Sequence, residues 1–135
     1  MAILAPPGAF VSDIQLSVVI PAYNEASRLP ATLERVLAYL DQQALRFEVL
    51  AVDDGSSDAT AELVEALAAV DRRLRLLRER HRGKGAAVKS GALAARGAVV
   101  LFCDADLCHP VEDLTRLPSF LDRAQVAIAA IEPFG

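Results

Sequence analysis

The chain has 135 residues, enough for one domain with a real core. A net charge of −4 argues against a nucleic-acid binder, which carries a basic face. Although 53% of the residues are apolar, no uncharged run approaches the ~18–20 residues that span a bilayer. Cys103 and Cys108 lack the spacing of a zinc site or a redox pair, so no disulfide framework is implied and a reducing cytosol fits.

Residues 1–14 read as an N-terminal tail, loosened by Pro6, Pro7 and Gly8 and without the basic start of a signal peptide. Leu16-Ser17-Val18-Val19-Ile20 reads as the first strand, closed by Pro21, which cannot continue a central ladder. The polar loop Ala22-Tyr23-Asn24-Glu25 precedes a helix over 29–40, with Pro30 in its first turn and Leu29, Leu33, Val36, Leu37 and Leu40 on one face. A second strand over 47–52 ends in Asp53-Asp54-Gly55-Ser56-Ser57-Asp58. Ser57 or Asp58 can cap a helix that turns Leu63, Val64, Leu67 and Val70 inward. A short strand over 73–77 runs into Glu79-Arg80-His81-Arg82-Gly83-Lys84-Gly85. The next helix, 86–95, is built of small residues that let it lie close on a sheet. The apolar run 99–103 then exits into Asp104-Ala105-Asp106. A helix over 111–121 and a strand over 126–131 complete the pattern.

Strict alternation of strand and helix implies an α/β fold, a mostly parallel sheet with helices on both faces. Ligands of such sheets bind in the crevice outside the strands' carboxyl ends. Four strands here end in polar loops, so one crevice receives Tyr23 and Glu25, Asp53 and Asp54, the 81–84 loop, and Asp104 with Asp106.

Nothing about packing calls for two carboxylates where a buried strand exits. A helix-terminal acid or a solvated turn would account for them, but a cation explains them better. A diphosphate near the pair would be repelled by roughly 3 kcal/mol per charge pair at ~5 Å. A divalent cation reverses that sign, and a few hard oxygen ligands suit Mg²⁺ or Mn²⁺. In extended chain Asp104 and Asp106 point the same way, so both can face one ion or its ligands. Asp53 and Asp54 point oppositely, so one faces the crevice and the other caps or braces; turn chemistry alone also accounts for Asp-Gly-Ser-Ser. Tyr23 offers a face for a base and Glu25 an acceptor. Lys84 lies between glycines that let the backbone approach a ligand. A Walker A loop is not formed, because Arg78 stands where its first glycine is required. The arginines from 72 to 82 read mostly as a solvated edge strand.

These segments together resemble the family 2 glycosyltransferases of GT-A fold. They are Val18-Val19-Ile20-Pro21-Ala22-Tyr23-Asn24-Glu25, Val52-Asp53-Asp54-Gly55-Ser56-Ser57-Asp58-Ala59-Thr60, Gly83-Lys84-Gly85-Ala86-Ala87 and Asp104-Ala105-Asp106-Leu107. The run Asp104 to Pro110 is most similar to the polyprenyl- or dolichyl-phosphate mannosyl- and glucosyltransferases, except that Cys108 stands where those often carry Gln. The resemblance implies that 15–135 form a Rossmann-like GT-A nucleotide-sugar-binding half, short of the acceptor-binding side. It implies that Pro21, Tyr23, Glu25, Asp53, Lys84 and Asp104 bind the nucleotide sugar, with Asp53 toward the base, and that Asp104 and Asp106 bind Mg²⁺ or Mn²⁺. The implied reaction is inverting, metal-dependent transfer from UDP-glucose or GDP-mannose to a polyprenyl phosphate or similar acceptor, at the cytoplasmic face of a membrane. No catalytic base is implied. Two other readings stay open: a nucleotide-sugar-binding fragment without turnover, and a nucleotidyltransferase-like nucleotide binder.

Overall fold

The computed structural model describes residues 2–4 and 13–106. Within them the elements run β1 (Ala2–Leu4), β2 (Leu16–Ala22), α1 (Leu29–Asp41), β3 (Phe47–Asp54), α2 (Thr60–Val70), β4 (Leu74–Glu79), α3 (Lys84–Ala94) and β5 (Val99–Phe102). The sheet order is β1-β5-β2-β3-β4; β2 to β5 are parallel, and β1 joins the β5 edge antiparallel. Every residue of β2 and β3 is buried, as expected of parallel strands covered on both faces.

Alternate strand residues feed two cores. Val18, Ile20, Val49 and Ala51 meet Leu33, Val36 and Leu40 of α1 and Val64 of α2. Val19, Leu50, Val52 and Val100 meet Ala87 of α3 on the opposite face. The small residues of α3 bring it down onto the sheet: a Cβ at Gly91 would lie 3.1 Å from Val52 Cγ2 and nearer still to Val19 Cγ1. At the amino ends of β2 and β3 the buried Glu48 carboxylate accepts from Ser17 Oγ (2.7 Å), Arg96 N (2.6 Å) and an Arg75 guanidinium nitrogen (2.8 Å). Gly97 N in turn donates to Ser17 Oγ at 2.8 Å, so this polar knot fastens the turn before β5.

The structure departs from the sequence reading in several places. Within the expected tail, Ala2–Leu4 form a strand, because β5 leaves an unpaired edge for an apolar tripeptide to cover. Pro21 does not close β2. Val19 O accepts Cys103 N, so alternate residues Val19 and Pro21 turn their backbone groups toward β5. Pairing with β5 stops at Val19↔Phe102, so the N–H that Pro21 lacks is not required. On α2, Leu63 and Val70 face outward while Thr60, Ala61 and Val64 are buried. The α3 helix begins at Lys84, two residues earlier than expected. The expected elements over 111–121 and 126–131, with Leu107, Cys108 and His109, lie outside the described residues.

Candidate functional site

The carboxyl ends of β2, β3, β4 and β5 open onto one cavity of about 610 Å³, lined by Pro21, Tyr23, Glu25, Lys84, Asp104 and Asp106 among others. Six residues singled out from the sequence therefore share one space. Asp53 is not in that lining; Asp54 is, and so is His81.

The loops after β2 and β3 are laced together. Asn24, at a φ of 51° that Asn tolerates better than most residues, accepts Ser57 N on Oδ1 at 2.8 Å, and its own N–H donates to Ser56 Oγ at 2.8 Å. Glu25 N donates to Thr60 Oγ1 at 2.9 Å. The Glu25 carboxylate meets Arg28 at 2.7 Å, so it enters the cavity already charge-compensated.

Asp53 and Asp54 divide their work. The Asp53 carboxylate takes the N–H of Ser56 at 3.3 Å and braces the turn. Asp54, 3% exposed, holds the loop after β4: it accepts Arg82 N at 2.8 Å, Gly83 N at 3.0 Å and His81 Nδ1 at 3.0 Å. Burial pushes the Asp54 carboxyl up, but the two backbone N–H donors and His81 outweigh it and hold it below the usual carboxylate range. Gly83, at φ 101°, makes the turn into α3. Above Asp54 the His81 imidazole stacks on the Tyr23 ring, centroids 4.1 Å apart and planes 23° from parallel.

The segment after β5 is pinned from below. Thr32 Oγ1, buried on α1, donates to Ala105 O at 2.6 Å, and Ala105 is itself buried. Its two flanking acids both line the cavity. Lys84 Nζ lies 2.6 Å from Asp104 Oδ1; Asp106 is exposed and has no ion-pair partner among the described residues. No three of His, Cys, Asp and Glu group to hold a metal among the described residues. Two carboxylates nevertheless fit Mg²⁺ or Mn²⁺, which takes one or two protein carboxylates and completes its shell with substrate phosphates and water. The Lys84 ammonium is the cation that Asp104 already pairs with.

Sequence reasoning brought the loops of Asn24 and His81 to the crevice but gave neither residue a role of its own, and it missed Thr32. Thr32 had a signal, a single hydroxyl within the apolar stripe of α1. The stacking role of His81 had none, because the arginines around it read as a solvated edge.

Residues 17–134 match the family described as Glycosyl transferase family 2. An undecaprenyl-phosphate 4-deoxy-4-formamido-L-arabinose transferase from Aeromonas hydrophila is 45% identical over 109 residues, which cover 78% of this chain and 33% of that protein. A dolichyl-phosphate beta-glucosyltransferase from Drosophila melanogaster is 38% identical over 138 residues, covering 90% of this chain and 37% of that one. Among solved structures, the mannosyltransferase PcManGT from Pyrobaculum calidifontis, in complex with GDP-Man and Mn²⁺, superposes with a TM-score of 0.58 at 30% identity. That match covers 71% of this chain and 28% of the other. The chain thus spans about a third of the length of the curated relatives it matches.

Proposed function

The chain belongs to glycosyl transferase family 2 and has its GT-A fold, and on that premise we propose that the cavity holds the nucleoside-diphosphate end of a sugar donor. The sugar then passes to a polyprenyl (dolichyl) phosphate or similar acceptor. The observation that carries this reading is the convergence of four strand-end loops, with Lys84, Asp104 and Asp106, on one cavity. Pro21, Tyr23 and Glu25 line the nucleoside end together with Asp54, while Asp53 braces the turn that carries it. Lys84 faces the diphosphate. Asp104 and Asp106 are the residues that would hold Mg²⁺ or Mn²⁺, which when bound supplies Lewis-acid stabilisation of the departing diphosphate. An acceptor phosphate is already anionic near neutral pH, so transfer with inversion proceeds without a protein base. Such an acceptor places the reaction at a membrane surface, on the cytoplasmic face. No helix among the described residues is long and apolar enough to cross a membrane.

Calorimetry with UDP-glucose and GDP-mannose, with and without Mn²⁺, tests the reading. Metal-dependent binding of one donor, lost in Asp106→Asn, is expected; full affinity in that variant refutes the assignment. Because the chain spans about a third of its relatives, a second reading is donor binding without turnover. Metal-dependent binding with no sugar transfer to a polyprenyl phosphate selects it. Preference for a nucleoside triphosphate selects a nucleotidyltransferase-like binder instead.

A further inference from the structure

The loops after β2, β3 and β4 meet at His81, a residue whose side chain is 57% exposed and yet held on three sides. Its Nδ1 sits 3.0 Å from Asp54 Oδ2 and 3.1 Å from Asp54 O. Both partners are acceptors, so Nδ1 carries the proton that this anchor uses. Beneath the backbone lies Gly55, at φ 74°, where a Cβ would come within 2.6 Å of His81 N; no other residue type lets the two loops approach so closely. On the ring face lies Tyr23, itself 43% exposed.

Loop closure does not require this side chain, because Asp54 already secures the segment through Arg82 N and Gly83 N. Nor is this core packing, since both rings are open to the cavity they line. Two exposed aromatic side chains lose rotamer freedom when stacked, and here a buried carboxylate fixes one of them. The arrangement orients the other.

We propose that His81 is a positioning residue for nucleobase binding: tethered to Asp54, its imidazole holds the Tyr23 ring at the angle against which a base stacks. The inference rests on the reading of the cavity as a nucleoside-diphosphate site. Its chemical target is the aromatic base, and the diphosphate is left to Lys84 and the acid pair.

The test is calorimetry of UDP and GDP binding in saturating Mn²⁺ by wild type, His81→Ala, His81→Asn and His81→Phe, with the Tyr23 ring resonances followed by NMR. The chain has only two tyrosines and no tryptophan, so assignment is direct. Loss of the aromatic platform in the Ala and Asn variants is expected to weaken the preferred nucleotide about fivefold and to shift the Tyr23 resonances. His81→Phe, which keeps a stacking face without the tether, is expected to fall between the Ala variant and wild type, because nothing fixes its ring. Inorganic pyrophosphate with Mn²⁺ is expected to bind all four proteins alike. Equal nucleotide affinity in wild type and His81→Ala overturns the inference while leaving the nucleotide site standing. A Phe variant that binds as tightly as wild type overturns it as well, because the tether would then orient nothing. Failure of wild type to bind either nucleotide removes the site reading, and this inference with it.

Discussion

Lys84→Met offers a test in which two affinities move in opposite directions. The ammonium of Lys84 lies 2.6 Å from Asp104 Oδ1, with the two side chains 67% and 34% exposed. A divalent cation approaching Asp104 alone must first displace it. An exposed ion pair contributes about 0.5 kcal/mol. Residual repulsion between the ammonium and a doubly charged ion ~5 Å away is about 1.7 kcal/mol at the dielectric of water, and less once the lysine swings aside. Together these make about 1–2 kcal/mol, so Mn²⁺ alone should bind Lys84→Met some 5- to 30-fold tighter than wild type. Binding of UDP or GDP in saturating Mn²⁺ should weaken, because the diphosphate loses its cation. Electron paramagnetic resonance titration of free Mn²⁺ reads the first quantity and calorimetry the second. Lys89→Met, which removes another exposed cation from α3, should move each by less than about twofold. If Mn²⁺ affinity is unchanged or falls in Lys84→Met, the lysine is not a stand-in cation and the reasoning fails.

Gly91→Ala places a methyl group against Val19 and Val52 and should cost about 1–3 kcal/mol in urea unfolding; a neutral result would mean that α3 rides higher than described. Glu48→Ala strips the acceptor from Ser17, Arg75 and Arg96 N. It should cost about 3 kcal/mol by the same measurement, and a loss under about 1 kcal/mol would show the knot to be incidental. Asp54 titrates below its ordinary value of 3.8 in the folded chain. The stability it contributes is therefore present above that pH and lost as pH falls through the depressed value. Between pH 5 and 3 the difference in stability between wild type and Asp54→Asn should shrink; a constant difference would mean that the carboxylate's charge plays no part.

Much of the fold was legible because β2, β3 and β5 are continuous apolar runs, and a sheet covered on both faces demands such runs. Much of the site was legible for a related reason: chemistry-bearing residues stand where those runs break off. Which of Asp53 and Asp54 faces the cavity was not, since the strand was expected to stop at Val52. The β3 ladder continues to Asp54, and the parity of the pleat then decides. Val49 and Ala51 face α1 and α2, whereas Leu50 and Val52 face α3. Asp54 falls on the α3 side, with Gly83 and Lys84, and Asp53 on the other. The contacts of His81 were hidden for want of any local pattern, because its partners Tyr23 and Asp54 lie 58 and 27 positions away along the chain. On α2 the periodicity was right but the face was rotated: Thr60 and Ala61 are buried while Leu63 and Val70 turn outward.

The Thr32 hydroxyl on Ala105 O makes α1 a lever on a pocket that none of its side chains line. A rigid helix that grips the peptide between two acids sets how far both carboxylates reach over the cavity floor. On the proposed reading of the cavity, variation at position 32, or among the leucines that seat the helix, is a route to retuning donor preference while the residues that line the site stay untouched. Libraries confined to cavity-facing positions would pass over it.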